Sequence, residues 1–115
     1  MRLKPDVVLA NLRPQTVLAM QVAESVIKRI AGVGFELRIT SGSDGKHPGK
    51  PVAGEATDPH YTGRAFDFGI KDIPEAMRQQ VIFALADALG PQYRVFHESI
   101  GQPNEHGHVQ YEGAI

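Results

Sequence analysis

Two stretches of this chain repeat apolar residues at helical spacing, and each is followed by a segment that reads as a strand. A helix with one apolar stripe must bury it, and a neighbouring sheet offers that surface. From Pro14 to Ala31, Leu18, Ala19, Val22, Ala23, Val26, Ile27 and Ile30 form one such stripe. Pro14 suits a first helical turn, Lys28 and Arg29 suit the negative end of the helix dipole, and Gly32 or Gly34 suits the stop. Phe35–Thr40 then alternates, with Phe35, Leu37 and Ile39 on one side, as in a half-buried strand. Arg64–Ile70 reads as a second strand. Asp72 and Glu75, at capping-box spacing, open a helix over Pro74–Leu89 whose buried stripe is Met77, Val81, Leu85 and Ala88. Gly90–Pro91 stops it. Tyr93–Glu98 and His106–Glu112 supply two more strands, and a short helix over Asp6–Leu12 is a further option. The order predicts an α+β domain, a small and mostly antiparallel sheet with helices packed on one face.

With 115 residues, of which 42% are hydrophobic, residues 1–115 are expected to form one domain, read as a monomer. No cysteine is present, which excludes a disulfide scaffold, a thiolate zinc finger and a thiol nucleophile. A formal net charge of −1 lacks the basic excess that binding to a nucleic-acid backbone demands. No apolar run is long enough for a membrane span. The start, MRLKPDVVLANLRP, is charged, but its apolar run VVLA is too short for a signal peptide, so the chain is expected to be made in the cytoplasm. Ser41–Pro59 is a loop of 19 residues dense in Gly, Pro, Ser and Asp, a length usually tied to function or mobility.

Five histidines stand out, and two segments concentrate them beside carboxylates: His60-Tyr-Thr-Gly-Arg-Ala-Phe-Asp67 and Glu105-His-Gly-His108. Imidazole and carboxylate are the ligands zinc accepts when thiolate is missing, and a catalytic site takes three of them and keeps one position open. His60, Asp67 and one histidine of the last strand would make that set. Alternation places Asp67 on a face with the small residues Ala65 and Gly69, which leaves room for an ion. His106 and His108 share a face, so both, or either, could reach the ion. Glu105 stands three residues before His108, and a carboxylate beside an activated water can take its proton.

Ser41-Gly42 after a strand, then His60-x-x-Gly63-x-Ala65-x-Asp67, then Glu105-x-x-His108 resembles the zinc D-alanyl-D-alanine carboxypeptidases and the phage L-alanyl-D-glutamate endopeptidases. That family shares its fold with the hedgehog signalling domain, and the resemblance runs from Pro14 onward. It implies a hedgehog/DD-peptidase-like fold and a zinc metallopeptidase that hydrolyses peptidoglycan stem peptides. It implies zinc held by His60, Asp67 and His108, with Glu105 as the catalytic base. It also implies cell-wall lysis or remodelling, in the manner of an endolysin, after lysis or on delivery in a phage particle. Relatives carry Ser-Gly-Tyr-Arg, whose Arg stabilises the oxyanion; here Ser43-Asp44 follows Ser41-Gly42. Ser41, Lys46, His47, Arg64 and His106 are therefore the candidates for substrate or oxyanion contacts.

Plainer readings compete with these. Asp67 could be a strand carboxylate paired with Arg38 or Arg64, His97 an ordinary surface or hydrogen-bonded residue, and His47 a solvated one. In a regular strand Glu105 points away from His106 and His108, so its catalytic role requires the strand to begin after it. The missing Arg motivates a non-enzymatic alternative, a metal-stabilised wall-binding or virion structural module. Four protein ligands, including His106, would favour that closed site, and three would favour the enzyme.

Overall fold

Helix α1 spans Pro14–Ala31, the bounds expected from its stripe and punctuation. Pro14 opens it, and Gly32, at φ 119°, closes it by donating its N–H to the Lys28 carbonyl. The computed structural model describes residues 1–43, 59–60 and 62–114. Lys46, His47, Tyr61 and most of the expected long loop lie outside the described residues. Helix α2 spans Glu75–Leu89. No side chain caps it; Asp72 instead meets Arg2 at 3.2 Å and Arg38 at 3.6 Å.

Among the described residues, five strands form one mixed sheet: β1 (Arg2–Leu3), β2 (Arg38–Ser41), β3 (Ala65–Gly69), β4 (Tyr93–Glu98) and β5 (His106–Tyr111). Their order is β1-β2-β3-β5-β4, antiparallel except for the β1–β2 pair. Strand β1 was not expected, because two residues carry no periodicity. The Asp6–Leu12 helix does not form. Asp6 and Asn11 take positive φ, which breaks a right-handed helix. That segment instead braces the ends of two strands. The Val8 carbonyl accepts from Ser43 N–H, and Ala10 from Ser43 Oγ. A Cβ on Gly63 would strike the Asn11 carbonyl, so the close approach requires glycine there.

The two sheet faces have different chemistry. Ile39, Phe66, Phe68 and Val109 pack with Ala19, Met20, Ala23, Val26 and Ile27 of α1 and with Val81, Ile82 and Leu85 of α2. Leu18, expected in the α1 stripe, is exposed, and Met20 is buried in its place. Asp67 and His108 alternate with the core residues and so project from the opposite face. The result is an α+β domain whose core faces two helices and whose polar cluster lies across the sheet from them.

Candidate metal centre

Register builds the site. Asp67 on β3 pairs with His108 on β5, and His108 with Phe96 on β4. On the other side, β2 carries an irregularity: Ile39 opposes Phe68, yet Ser41 opposes Asp67. A regular ladder would place Thr40 there. The extra residue brings Ser41 onto the site face, as a β-bulge does when it re-aims a side chain. One transverse row therefore reads Ser41, Asp67, His108, Phe96. The next row along the strands holds Gly69, His106 and Glu98.

His60 enters from the segment before β3. That segment is anchored at Gly63, whose carbonyl accepts from Arg13 N–H at 2.9 Å and Thr16 Oγ1 at 2.8 Å. His60 Nε2 lies 3.2 Å from His108 Nδ1 and 3.2 Å from Asp67 Oδ1, and His108 Nδ1 lies 2.7 Å from the same oxygen. All three residues are buried.

The outer contacts fix which nitrogens carry protons. His60 Nδ1 sits 2.9 Å from the Gly42 carbonyl, which can only accept, so Nδ1 donates and Nε2 keeps its lone pair. Gln110 Nε2 donates to Glu112 at 2.6 Å, which turns Gln110 Oε1 towards His108 Nε2 at 2.8 Å. His108 Nε2 therefore donates outward, and Nδ1 faces inward. Two imidazole lone pairs and a carboxylate oxygen thus converge, and such a set needs a proton or a cation between its members. Burial opposes charging of both Asp67 and His108, but their mutual hydrogen bond outweighs it. Asp67, which also bonds His60, is held well below the usual carboxylate range, and His108 is raised above the usual imidazole range.

The same atoms suit a metal ion. Tetrahedral zinc with bonds of about 2.0–2.1 Å separates its ligand atoms by roughly 3.3 Å, close to the spacings here. Outward N–H groups bound to carbonyls are the usual support for metal-ligating histidines. Ser41 Oγ, opposite Asp67, is buried and has no hydrogen-bond partner, an orphan that a ligand or water at this site would satisfy. The donor set is compatible with a metal ion and does not by itself select zinc.

A second group adjoins the first. His106 sets Nδ1 2.8 Å from the Asn104 carbonyl and Nε2 2.8 Å from Glu98 Oε1, with Asp67 Oδ2 3.8 Å from the same Nε2. Sequence reasoning missed Glu98. Its signal lay in the alternation of β4, but only the β4–β5 register sets it opposite His106.

The remaining candidates separate. Arg64 donates to the Tyr111 and Gly113 carbonyls, away from Asp67. Strand β5 does begin at His106, yet Glu105 is not among the three converging groups. Its carboxylate accepts from His97 Nε2 at 2.6 Å, Arg78 Nη1 at 3.0 Å and Gly101 N–H at 3.3 Å. The His97 hydrogen bond, with help from Gly101 and Arg78, holds Glu105 below the usual carboxylate range. This group lines a cleft of about 530 Å³ with Lys71, Gln79 and Ile100. Comparison with known proteins finds no matching family model, no matching curated protein and no matching solved structure.

Proposed function

We propose that the domain is a zinc-dependent peptidase acting on peptidoglycan stem peptides. The observation that carries this reading is the convergence of His60 Nε2, Asp67 Oδ1 and His108 Nδ1, each imidazole oriented by an outer carbonyl. The choice of peptide class rests on the motif resemblance. Three ligand groups converge at this point and His106 belongs to the adjoining group, a count that favours an open catalytic site over a closed structural one.

His60, Asp67 and His108 would hold the ion, and zinc bound by three such ligands activates water and polarises a carbonyl. The proton acceptor we assign is Glu98. Its Oε1 is held by His106 Nε2 at 2.8 Å, on the same face as the ligands and exposed to arriving substrate. Glu98 takes the proton of the attacking water and returns it to the leaving amine, while His106 orients the carboxylate. Glu105, implied for this task by the resemblance, keeps both oxygens engaged by His97 and Arg78.

The test is incubation of zinc-loaded protein with purified peptidoglycan, reading new termini by mass spectrometry. Glu98→Gln should retain zinc and lose hydrolysis by on the order of 10²–10⁴-fold. A Glu98→Gln protein of full activity beside an inactive, folded Glu105→Gln would return the proton role to Glu105. Absence of cleavage across wall types would sink the peptidase reading.

A further inference from the structure

Arg38 lies on the site face at the second row. Ile39 opposes Phe68, so the neighbouring β2 residue lies beside Gly69, and the guanidinium of Arg38 rests directly on that glycine. A Cβ at Gly69 would overlap the Nη2, Cζ and Nε atoms of Arg38. Across Gly69 from Arg38 stands His106, and beyond it Glu98. A cation is therefore laid into the floor of the site face, one row from Asp67 and His108.

The guanidinium is largely covered, at 29% side-chain exposure, yet poorly matched. Its contact with Asp72 is 3.6 Å, beyond a hydrogen bond, and Asp72 is itself exposed and shared with Arg2 at 3.2 Å. Among the described residues no hydrogen bond occupies its donors. A guanidinium presents its N–H groups in a planar fork that matches a carboxylate at two points. A half-covered fork with unused donors beside a peptide-bond site is suited to a carboxylate on the substrate.

The geometry points to a carboxylate-binding subsite at Arg38, with Gly69 as the cradle that lets the guanidinium lie flat. The inference deepens the peptidase reading and rests on it for the identity of the site. Adjacent rows on one face are about 7 Å apart along a strand. An extended peptide advances about 3.3–3.6 Å per residue, so the carboxylate belongs one or two residues from the reacting carbonyl. The substrate is then an anionic peptide, and amidation of that carboxylate weakens it.

The experiment uses two synthetic stem peptides that differ only in carrying a free side-branch carboxylate or its carboxamide. KM and kcat are measured with zinc-loaded protein, and direct binding of both peptides is followed by NMR titration. The wild type should show at least a tenfold lower KM and tighter binding for the carboxylate peptide. Arg38→Ala should erase that preference, raising KM for the carboxylate peptide at least tenfold to the level of the carboxamide peptide. Gly69→Ala, which keeps the arginine and displaces it, should raise KM for the carboxylate peptide in the same direction. Arg38→Lys should restore part of the preference. Equal binding of both peptides by the wild type, or an intact preference in Arg38→Ala, overturns the subsite. A protein that cleaves neither peptide but still binds the carboxylate form through Arg38 keeps the subsite and loses the peptidase reading. If Arg38→Ala only lowers the melting temperature, with the preference intact, the residue is structural.

Discussion

At the scale of single residues, Asp67 is the hinge of the site, because both of its oxygens face imidazoles. Its depressed pKa contributes stability above the unfolded carboxylate value of about 3.9, and that contribution is lost as pH falls through the lowered folded value. His108 behaves oppositely. Its raised pKa contributes below an unfolded value of about 6.5 and is lost as pH rises through the folded one. Metal-free protein should therefore melt highest on the acid side of neutrality and lose stability towards both extremes. Thermal melts across pH, with and without zinc, check this; the alkaline loss should shrink when the ion replaces the proton. A chelated protein whose melting temperature is flat from pH 5 to pH 9 would contradict it. His60→Ala and Asp67→Asn should each lower zinc content by elemental analysis.

His60, Asp67 and His108 were legible because their spacing and alternation are written along the chain. Glu98, the residue to which we assign the proton, was not. Glu98 and Glu105 are both glutamates near the histidine pair, and only the pairing of His106 with Glu98 separates them. The alternation rule did carry the warning, since Glu105 has the opposite parity to His106 and His108 and indeed turns away. His97, read as ordinary, has that hydrogen-bonded character: it joins Glu105 to Gln79.

At the scale of elements, the sheet's two faces meet in β5. Gly107 stands between His106 and His108 and opposes Phe68, and a Cβ there would enter the Phe68 ring. Phe68 is fully buried, so the ring has little room to yield. Gly107→Ala should cost about 1–3 kcal/mol, the usual range for overpacking, read from denaturant titration. It should also loosen zinc binding, since both flanking histidines would shift with the strand. Arg78 ties the start of α2 to the end of the β4–β5 turn through the Ile73 and Lys71 carbonyls and Glu105. Glu105→Gln should accordingly lower the melting temperature, while a folded fraction retains its zinc. The bounds of α1 and β4 were readable from periodicity, whereas the β2 bulge and strand β1 depend on long-range pairing that no local pattern encodes.

At the scale of the whole molecule, ligand binding and folding share the same strands. The three donor groups come from β3, from β5 and from a segment pinned to the start of α1, so an ion bound there would link three parts of the fold. Zinc at about 100 times its dissociation constant should add roughly 2.7 kcal/mol of stability, visible as a melting temperature that climbs with zinc and drops with chelator. An unchanged melting temperature in both conditions would mean that the converging atoms hold no ion.

The alternation on β3 has a practical consequence. Phe66 and Phe68 bind the sheet to its helices, while Asp67 between them faces the other way. A library that randomises Arg38 and Phe96 would rewrite the binding surface without touching a helix-facing side chain, the assigned proton acceptor or the groups that would hold the ion. The domain is thus a mounting plate, and new specificities can be selected on one side while the other continues to hold the fold.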